Sequence, residues 1–271
     1  MTAAISIRSL HVYPVKSGRG INLSRAQLGT RGLQDDRHWM VADENGRFLT
    51  QRTHPTLARL HAQSTIEALE LTHPAAGSIV VPRLDPFANL AAPRVTAQVW
   101  KRSMQALDCG DAAAHFVSRV LERPARLLAA DQDSFPDGFP LLVCSTSSLQ
   151  DLTERLGAEL PMNRFRPNVV IDGLPPWAED RLLGLRIGQI VLRMAKPCTR
   201  CVITSRDQDS GDISVDPLPT LRRFRFDAQW GGVTFGQNAR VDVGVGAWLS
   251  IGDTVEPLWR ELSQSESAPA R

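Results

Sequence analysis

The sequence predicts a β-rich α+β protein, with a barrel-like sheet and only a few helices. Three observations carry that expectation. Short runs of alternating apolar residues recur along the chain, turn residues separate them, and helical periodicity surfaces in three places only.

Taken in order, Ile5, Ile7, Leu10 and Val12 mark an extended opening segment that Pro14 interrupts. His38-Trp39-Met40-Val41 and Arg47-Phe48-Leu49-Thr50 flank Asp43-Glu44-Asn45-Gly46, where Asn-Gly favours positive φ and a tight hairpin. Val95-Thr96-Ala97-Gln98-Val99-Trp100 alternates as another strand. A first helix is predicted over 111–122, with Phe116, Val117, Val120 and Leu121 as its stripe and Asp111 as its cap. Ser147-Ser148-Leu149-Gln150 has capping-box spacing and opens a second helix, which carries Leu152 and Leu156 and ends at Gly157. A short third helix follows Pro219, with Leu221 and Phe224. Ile190, Leu192 and Met194 alternate up to a cysteine pair, Val241, Val243 and Val245 alternate again, and Ile251-Gly252-Asp253-Thr254-Val255 closes the pattern. The breaker-rich stretch 122–140 marks a junction, dividing the chain into 1–123 and 124–262. Residues 263–271 have no periodicity and read as a frayed tail.

Composition narrows the function classes. The 271 residues carry a formal net charge of +2, which gives no electrostatic case for a nucleic-acid partner. The first residues lack the apolar core of a signal peptide, and no run of about 18 apolar residues suits a bilayer, so a cytoplasmic protein without a membrane is expected. Four cysteines at 109, 144, 198 and 201 do not form a disulfide framework, and one close pair plus two singles falls short of a structural zinc site.

Chemistry concentrates in three segments. Cys198-Thr199-Arg200-Cys201 follows a strand pattern, and thiolates bind soft metals; Lys196 and Arg200 are cationic neighbours that favour a reactive sulfur. A thioredoxin-like pair would need a helix after it, whereas Val202-Ile203-Thr204 extends the strand pattern; two buried, inert thiols are the plain alternative. Lys16-Ser17-Gly18-Arg19-Gly20 is a glycine-rich loop whose backbone N–H groups can hold a phosphate, although it is not a Walker loop; an ordinary surface loop would look the same. Arg164-Phe165-Arg166-Pro167-Asn168 sets two guanidinium forks and an amide before the strand 169–171, suited to phosphate, carboxylate or a heterocycle's edge, or simply to solvent.

Together with Gly32-Leu33-Gln34-Asp35-Asp36-Arg37, Phe48-Leu49-Thr50-Gln51-Arg52, Trp177-Ala178-Glu179-Asp180 and Phe235-Gly236-Gln237-Asn238, these segments resemble the MOSC family in content and order. The resemblance spans roughly residues 5 to 260 and is similar in pattern to bacterial reductases of N-hydroxylated bases and to the mitochondrial amidoxime-reducing component. It implies a MOSC β-barrel domain preceded by a smaller β-rich N-terminal domain.

The resemblance also implies a chemistry. Cys201 corresponds to the thiolate ligand of molybdenum in the molybdenum cofactor (Mo-molybdopterin), Lys16 and Ser17 to the grip on its phosphate, and Arg37 to a further anion-binding position. Arg166 and Asn168 match residues that hold the pterin, Thr199 and Arg200 flank the ligand, and Asp180 matches an acidic residue near the metal that would donate a proton. Gly138 and Phe139 stand where relatives carry small hydroxyl residues, so no side-chain contact carries over there. The implied reaction takes oxygen from a small N-oxygenated substrate, N–OH to N–H, in a detoxifying role. The chain has no iron–sulfur cysteine cluster, so electrons would come from a separate ferredoxin or flavoprotein-type donor. A molybdenum-cofactor or sulfur carrier acting through the same cysteine is the alternative.

Overall fold

The computed structural model describes residues 4–84, 92–131 and 134–260; the predicted tail at 263–271 lies outside the described residues. In chain order the strands are β1 (Ser6–Val12), β2 (Ile21–Leu23), β3 (Arg25–Gly29), β4 (Gly32–Leu33), β5 (Trp39–Ala42), β6 (His61–Ser64), β7 (Ala68–His73), β8 (Gly77–Pro82), β9 (Arg94–Val99) and β10 (Arg102–Asp108). After helix α1 (Asp111–Leu121) come β11 (Arg126–Ala130), β12 (Leu141–Ser145), helix α2 (Thr146–Leu156), β13 (Val169–Asp172), β14 (Leu182–Ile187) and β15 (Ile190–Thr199). Helix α3 (Leu218–Phe224) then leads to β16 (Phe226–Asp227), β17 (Gly232–Val243), β18 (Trp248–Ser250) and β19 (Glu256–Trp259).

The main sheet runs β19-β14-β15-β17-β12-β13-β1-β2, with β16 paired to β17. Backbone bonds from Ile7 to Asp253, Gly252 to Ile7 and Val255 to Ile5 tie β1 to the stretch that leads into β19, curling the sheet toward closure. Its interior holds Leu10, Val143, Val169, Ile171, Leu185 and Leu192. In a second sheet, β5-β11-β10-β9, strand β5 is buried on both faces, so the run Trp39-Met40-Val41-Ala42 is apolar throughout instead of alternating polar and apolar. Trp39, Val41, Leu107 and Leu127 pack under α1, while Met40, Ala106 and Leu128 pack on the opposite face with Phe135. The first sheet takes strands from both ends of the chain, and the second takes β11 from beyond residue 123, so the two halves interlock.

Several expected elements differ in detail. Gly46 has φ +74° and a Cβ there would lie 2.1 Å from Thr96 O, but Asn45 is not left-handed; the hairpin is closed by Asp43 Oδ1, which accepts from Asn45 N and Arg47 N. Its return arm makes two isolated bridges, Ala42 to Phe48 and Arg47 to Gln98, and not a full strand. Helix α2 is capped at Ser145, ahead of the Ser147 that the capping-box spacing predicted, because Ser147 Oγ instead reaches Leu174 O at 2.6 Å. Ile251–Val255 forms a turn before β19, with Gly252 at φ +89°, and Val243 and Val245 are exposed. Val202–Ser205 does not prolong β15 but turns as a single 3₁₀ helix, since Thr204 donates to Cys201 O from both its N–H and its hydroxyl.

Candidate functional site

The strand that carries the cysteine pair is irregular where the site needs it. Between β15 and β17 the register shifts three times, the last between Pro197 and Thr199, and Cys198 sits inside that shift. Proline lacks the ladder N–H, and a bulge re-aims the side chains around it. Across the ladder Gly236, at φ +75°, leaves room that a Cβ would fill, 2.7 Å from Cys144 Sγ. The strand is therefore irregular at 198 and leaves the ladder only after Arg200, whose N–H still donates to Val233 O, and both thiols of the pair come to line a cavity.

Each sulfur has its own guanidinium. Arg200 Nη1 lies 2.9 Å from Cys198 Sγ and its Nη2 donates to Phe165 O at 2.6 Å. Burial works against the Arg200 cation, but its contact with Cys198, with a smaller part from Cys201, outweighs it and raises its pKa. Arg52 Nη2 lies 3.3 Å from Cys201 Sγ. Lys196, expected to serve the pair, instead places its ammonium 4.7 Å from the Trp230 ring on another face. The remaining thiols are of a different kind. Burial pushes Cys109 up to about 12 and Cys144 well above the ordinary thiol range, so both stay protonated.

The opposite wall is built on Tyr13. Its buried ring carries Arg37 at 4.4 Å and Arg166 at 4.1 Å from the centroid, and its hydroxyl donates to Pro167 O at 3.1 Å. Arg37 is ion-paired to the buried Asp36 and donates to Asn168 Oδ1 at 3.1 Å. That oxygen also accepts from Leu142 N, and Asn168 Nδ2 donates to His11 O, so the amide chiefly fixes the wall. Arg166 Nη1 donates to Gly18 O at 2.8 Å, whereas its Nη2 is buried without a partner. Burial draws the Arg166 pKa down to about 10, which still leaves it charged at neutral pH.

At the mouth, Lys16 Nζ donates to Phe135 O at 3.0 Å and to Asp137 Oδ1 at 2.5 Å. Burial lowers the Lys16 pKa, with Asp137 opposing it. Burial likewise works against the Asp137 carboxylate, but the charge and hydrogen bond of Lys16, with help from Arg52 and Trp100, bring its pKa down to about 2. Trp100 Nε1 donates to the same Asp137 oxygen at 3.0 Å, and Arg52 lies 4.7 Å from the Trp100 ring.

These walls border a cavity of about 360 Å³ lined, among the described residues, by five cationic side chains (Lys16, Arg37, Arg52, Arg166 and Arg200) against a single carboxylate, Asp137. Four of the seven non-glycine residues with left-handed φ among the described residues line it: Ser17, Arg37, Trp100 and Arg166. Backbone held in that region is strained and persists where the surroundings over-determine it, as they do at binding sites. Of nine residues singled out from the sequence, eight line the cavity: Lys16, Ser17, Arg37, Arg166, Asn168, Thr199, Arg200 and Cys201. Asp180 does not. Its carboxylate is held by Arg225 at 2.6 Å and by Gln237 Nε2 at 2.7 Å, beside a separate cleft. Arg52, Trp100 and Asp137 carried no role in the sequence reading. Arg52 closes the Phe48–Arg52 motif and so had a signal; Asp137 had been read only as part of a breaker-rich junction.

Comparison with known proteins identifies the family. The chain matches the MOSC N-terminal beta barrel domain over residues 4–124 and the MOSC domain over residues 130–256. It is 32% identical over 245 residues to mitochondrial amidoxime-reducing component 1 of Mus musculus, covering 81% of this chain and 71% of that protein. The chain belongs to the MOSC family. The human mitochondrial amidoxime-reducing component 1 is 30% identical over 245 residues, with 81% and 72% covered. A crystal structure of the YUAD protein from Bacillus subtilis superposes over 96% of this MOSC chain and 98% of that one, at 8% identity and a TM-score of 0.46.

The MOSC cavity also passes a test of fit for an anionic, metal-bearing ligand. Arg166 Nη2 and Arg200 Nε are buried without partners on residues that line it, and such donors are costly unless a ligand meets them. Among the described residues no cluster of three or more His, Cys, Asp or Glu is placed to hold a metal. A metal beside Cys201 would therefore need ligands that another molecule brings.

Proposed function

We propose that this MOSC chain is a molybdenum-cofactor-dependent reductase of N-hydroxylated compounds, N–OH to N–H, fed by a separate ferredoxin or flavoprotein-type electron donor. The observation that carries the reading is the meeting of the Cys198–Cys201 pair, whose second thiol is the family-matched ligand position, with a five-cation cavity in a chain whose relatives are named amidoxime-reducing components. Cys201 would hold molybdenum, Lys16 and Ser17 the phosphate, and Arg166 the pterin, with Arg37 and Asn168 fixing that wall and Thr199 and Arg200 flanking the ligand. The cofactor, when bound, supplies two-electron oxygen transfer; the balance is N–OH plus two electrons and two protons to N–H plus water.

The protein's own part is charge placement. Arg52 beside Cys201 and Arg200 beside Cys198 offset sulfur and phosphate charge on the wall of a half-open cavity, where such pairing is stronger than in bulk water. Asp180 enters as an anchor and not as a proton donor, because it lies outside the cavity, engaged by Arg225 and Gln237. The relatives' names place them in mitochondria; for this chain the proposal keeps a cytoplasmic setting.

The test is reduction of benzamidoxime with molybdenum content measured in the same preparations. Cys201→Ala abolishes reduction, and Cys198→Ala leaves much of it. Equal activity of parent and Cys201→Ala at matched molybdenum occupancy would end the proposal. A persulfide on Cys201 with no pterin bound would point to the carrier instead.

A further inference from the structure

A cavity suited to an anion holds one carboxylate at its mouth, and the proposed chemistry gives that carboxylate no task. Asp137 Oδ1 accepts from Lys16 Nζ at 2.5 Å and from Trp100 Nε1 at 3.0 Å, while Oδ2 lies 3.8 Å from Arg52 Nη2. Its partners are the cation read as the phosphate grip and the cation that reaches Cys201. The Lys16 side chain is 6% exposed and that of Asp137 56% exposed, so the lysine is fixed while the carboxylate has a way out to solvent. Asp137 lies between Pro136 and Gly138, and a Cβ at Gly138 would meet nothing within 4 Å, so the bend borders open space.

We propose that Asp137 is a specificity-determining residue: a tethered anion that occupies Lys16 and Arg52 until a ligand displaces it, which restricts the cavity to terminal groups bearing more than one negative charge, the phosphate-monoester class. The inference rests on the reading of the cavity as the seat of a phosphorylated ligand.

The argument is one of competition. A carboxylate attached to the cavity's own wall acts at an effective concentration of millimolar or more, so a free monoanion of equal charge gains little by replacing it. A phosphate monoester carries about −1.5 to −2 charges at pH 7 and three acceptor oxygens. It satisfies Lys16 and Arg52 together, which a free monoanion of one charge does less well. Asp137 is ionised throughout the neutral range, so displacement and not protonation frees the cations. Trp100 loses its indole hydrogen bond in the same event, which gives the exchange an optical reporter.

The experiment uses the full chain from cells that make no pterin cofactor, titrated calorimetrically with inorganic phosphate and with formate at constant ionic strength. The parent binds phosphate and shows no formate binding. Asp137→Asn, with Asp137→Ala as a second variant, binds phosphate about tenfold tighter and acquires formate binding, so the preference for the dianion falls. Phosphate shifts the tryptophan emission of the parent more than that of either variant. Unchanged or weaker phosphate binding in both variants, or an unchanged phosphate-to-formate ratio, overturns the inference. Lys16→Ala keeps the two levels apart. If it removes phosphate binding from the parent, the anion seat stands whatever the Asp137 variants do; if it has no effect, the seat is misplaced and the inference falls with it.

Discussion

The cavity beside Cys201 and the cleft beside Asp180 are nearly equal in size, about 360 and 380 Å³, and both mix arginines with aromatic rings. They differ in how their polar groups are spent. In the cleft, Arg225 is paired with Asp180 and donates to Thr234 Oγ1 at 3.2 Å, and Lys196 lies against Trp230. None of its lining side chains leaves a buried donor or acceptor unpartnered among the described residues. In the cavity, two arginines keep buried donors without partners, and four residues hold left-handed backbone. Satisfied polar groups stabilise a fold by themselves, whereas unsatisfied ones in a strained frame cost free energy until a ligand arrives. Volume does not separate the two regions; the unspent hydrogen bonds do.

Arg166→Ala should produce the largest effect. It removes a buried cation that lines the cavity and holds Gly18 O of the Lys16–Gly20 loop, and charge-assisted bonds of this kind are worth about 3 kcal/mol, so phosphate binding should weaken by up to about 100-fold. Arg225→Ala, the matching change in the cleft, should leave phosphate binding within about twofold, because the sites share no partner. Calorimetric titration of both variants reads the contrast directly. Comparable losses in the two would erase the distinction drawn between the regions.

That contrast was only half visible in the amino-acid order. Alternation placed the strand from Ile190 to Met194, and motif content placed eight cavity residues, because loops that carry chemistry keep local signatures. The pairing of Arg52 with Cys201 spans 149 positions, and that of Lys16 with Asp137 spans 121. No local pattern encodes such distances; they follow from how the two sheets interlock. The turn of Val202–Ser205 was hidden for a related reason. Apolar β-branched residues read as strand until the Thr204 hydroxyl is seen to take the Cys201 carbonyl.

Glu179 is the exception that sharpens the comparison. It adjoins Asp180 in the well-satisfied region, is fully buried, accepts from Ser148 Oγ at 2.8 Å and leaves Oε1 without a partner. Burial pushes its pKa from 4.5 to about 7, against the pull of the Ser148 hydrogen bond. The folded-state value lies above the unfolded one, so this group's contribution is fully present below pH 4.5 and is lost as pH rises through 7. Parent stability should therefore fall between pH 5 and 8 by about 2 kcal/mol from this residue, after some relaxation around the charge. Glu179→Gln should flatten that slope in urea unfolding followed across the range. A slope unchanged by the substitution would mean that the orphaned oxygen has found solvent.

Asp180→Asn is the smallest change and bears on the cleft most directly. The substituted amide keeps an oxygen for Gln237 Nε2 but loses the ion pair with Arg225, whose partner is 28% exposed. Partly exposed pairs contribute about 1 kcal/mol or less, so urea unfolding should shift by that amount and phosphate binding should not move. The pH profile of benzamidoxime reduction decides the rest. If Asp180 only anchors Arg225 and Gln237, the profile of Asp180→Asn overlays the parent's at a modestly different rate. A lost acidic or basic limb would return Asp180 to proton transfer. It would also mean that the cleft communicates with Cys201 along β15, where Lys196 and Pro197 line one space and Cys198 to Cys201 the other.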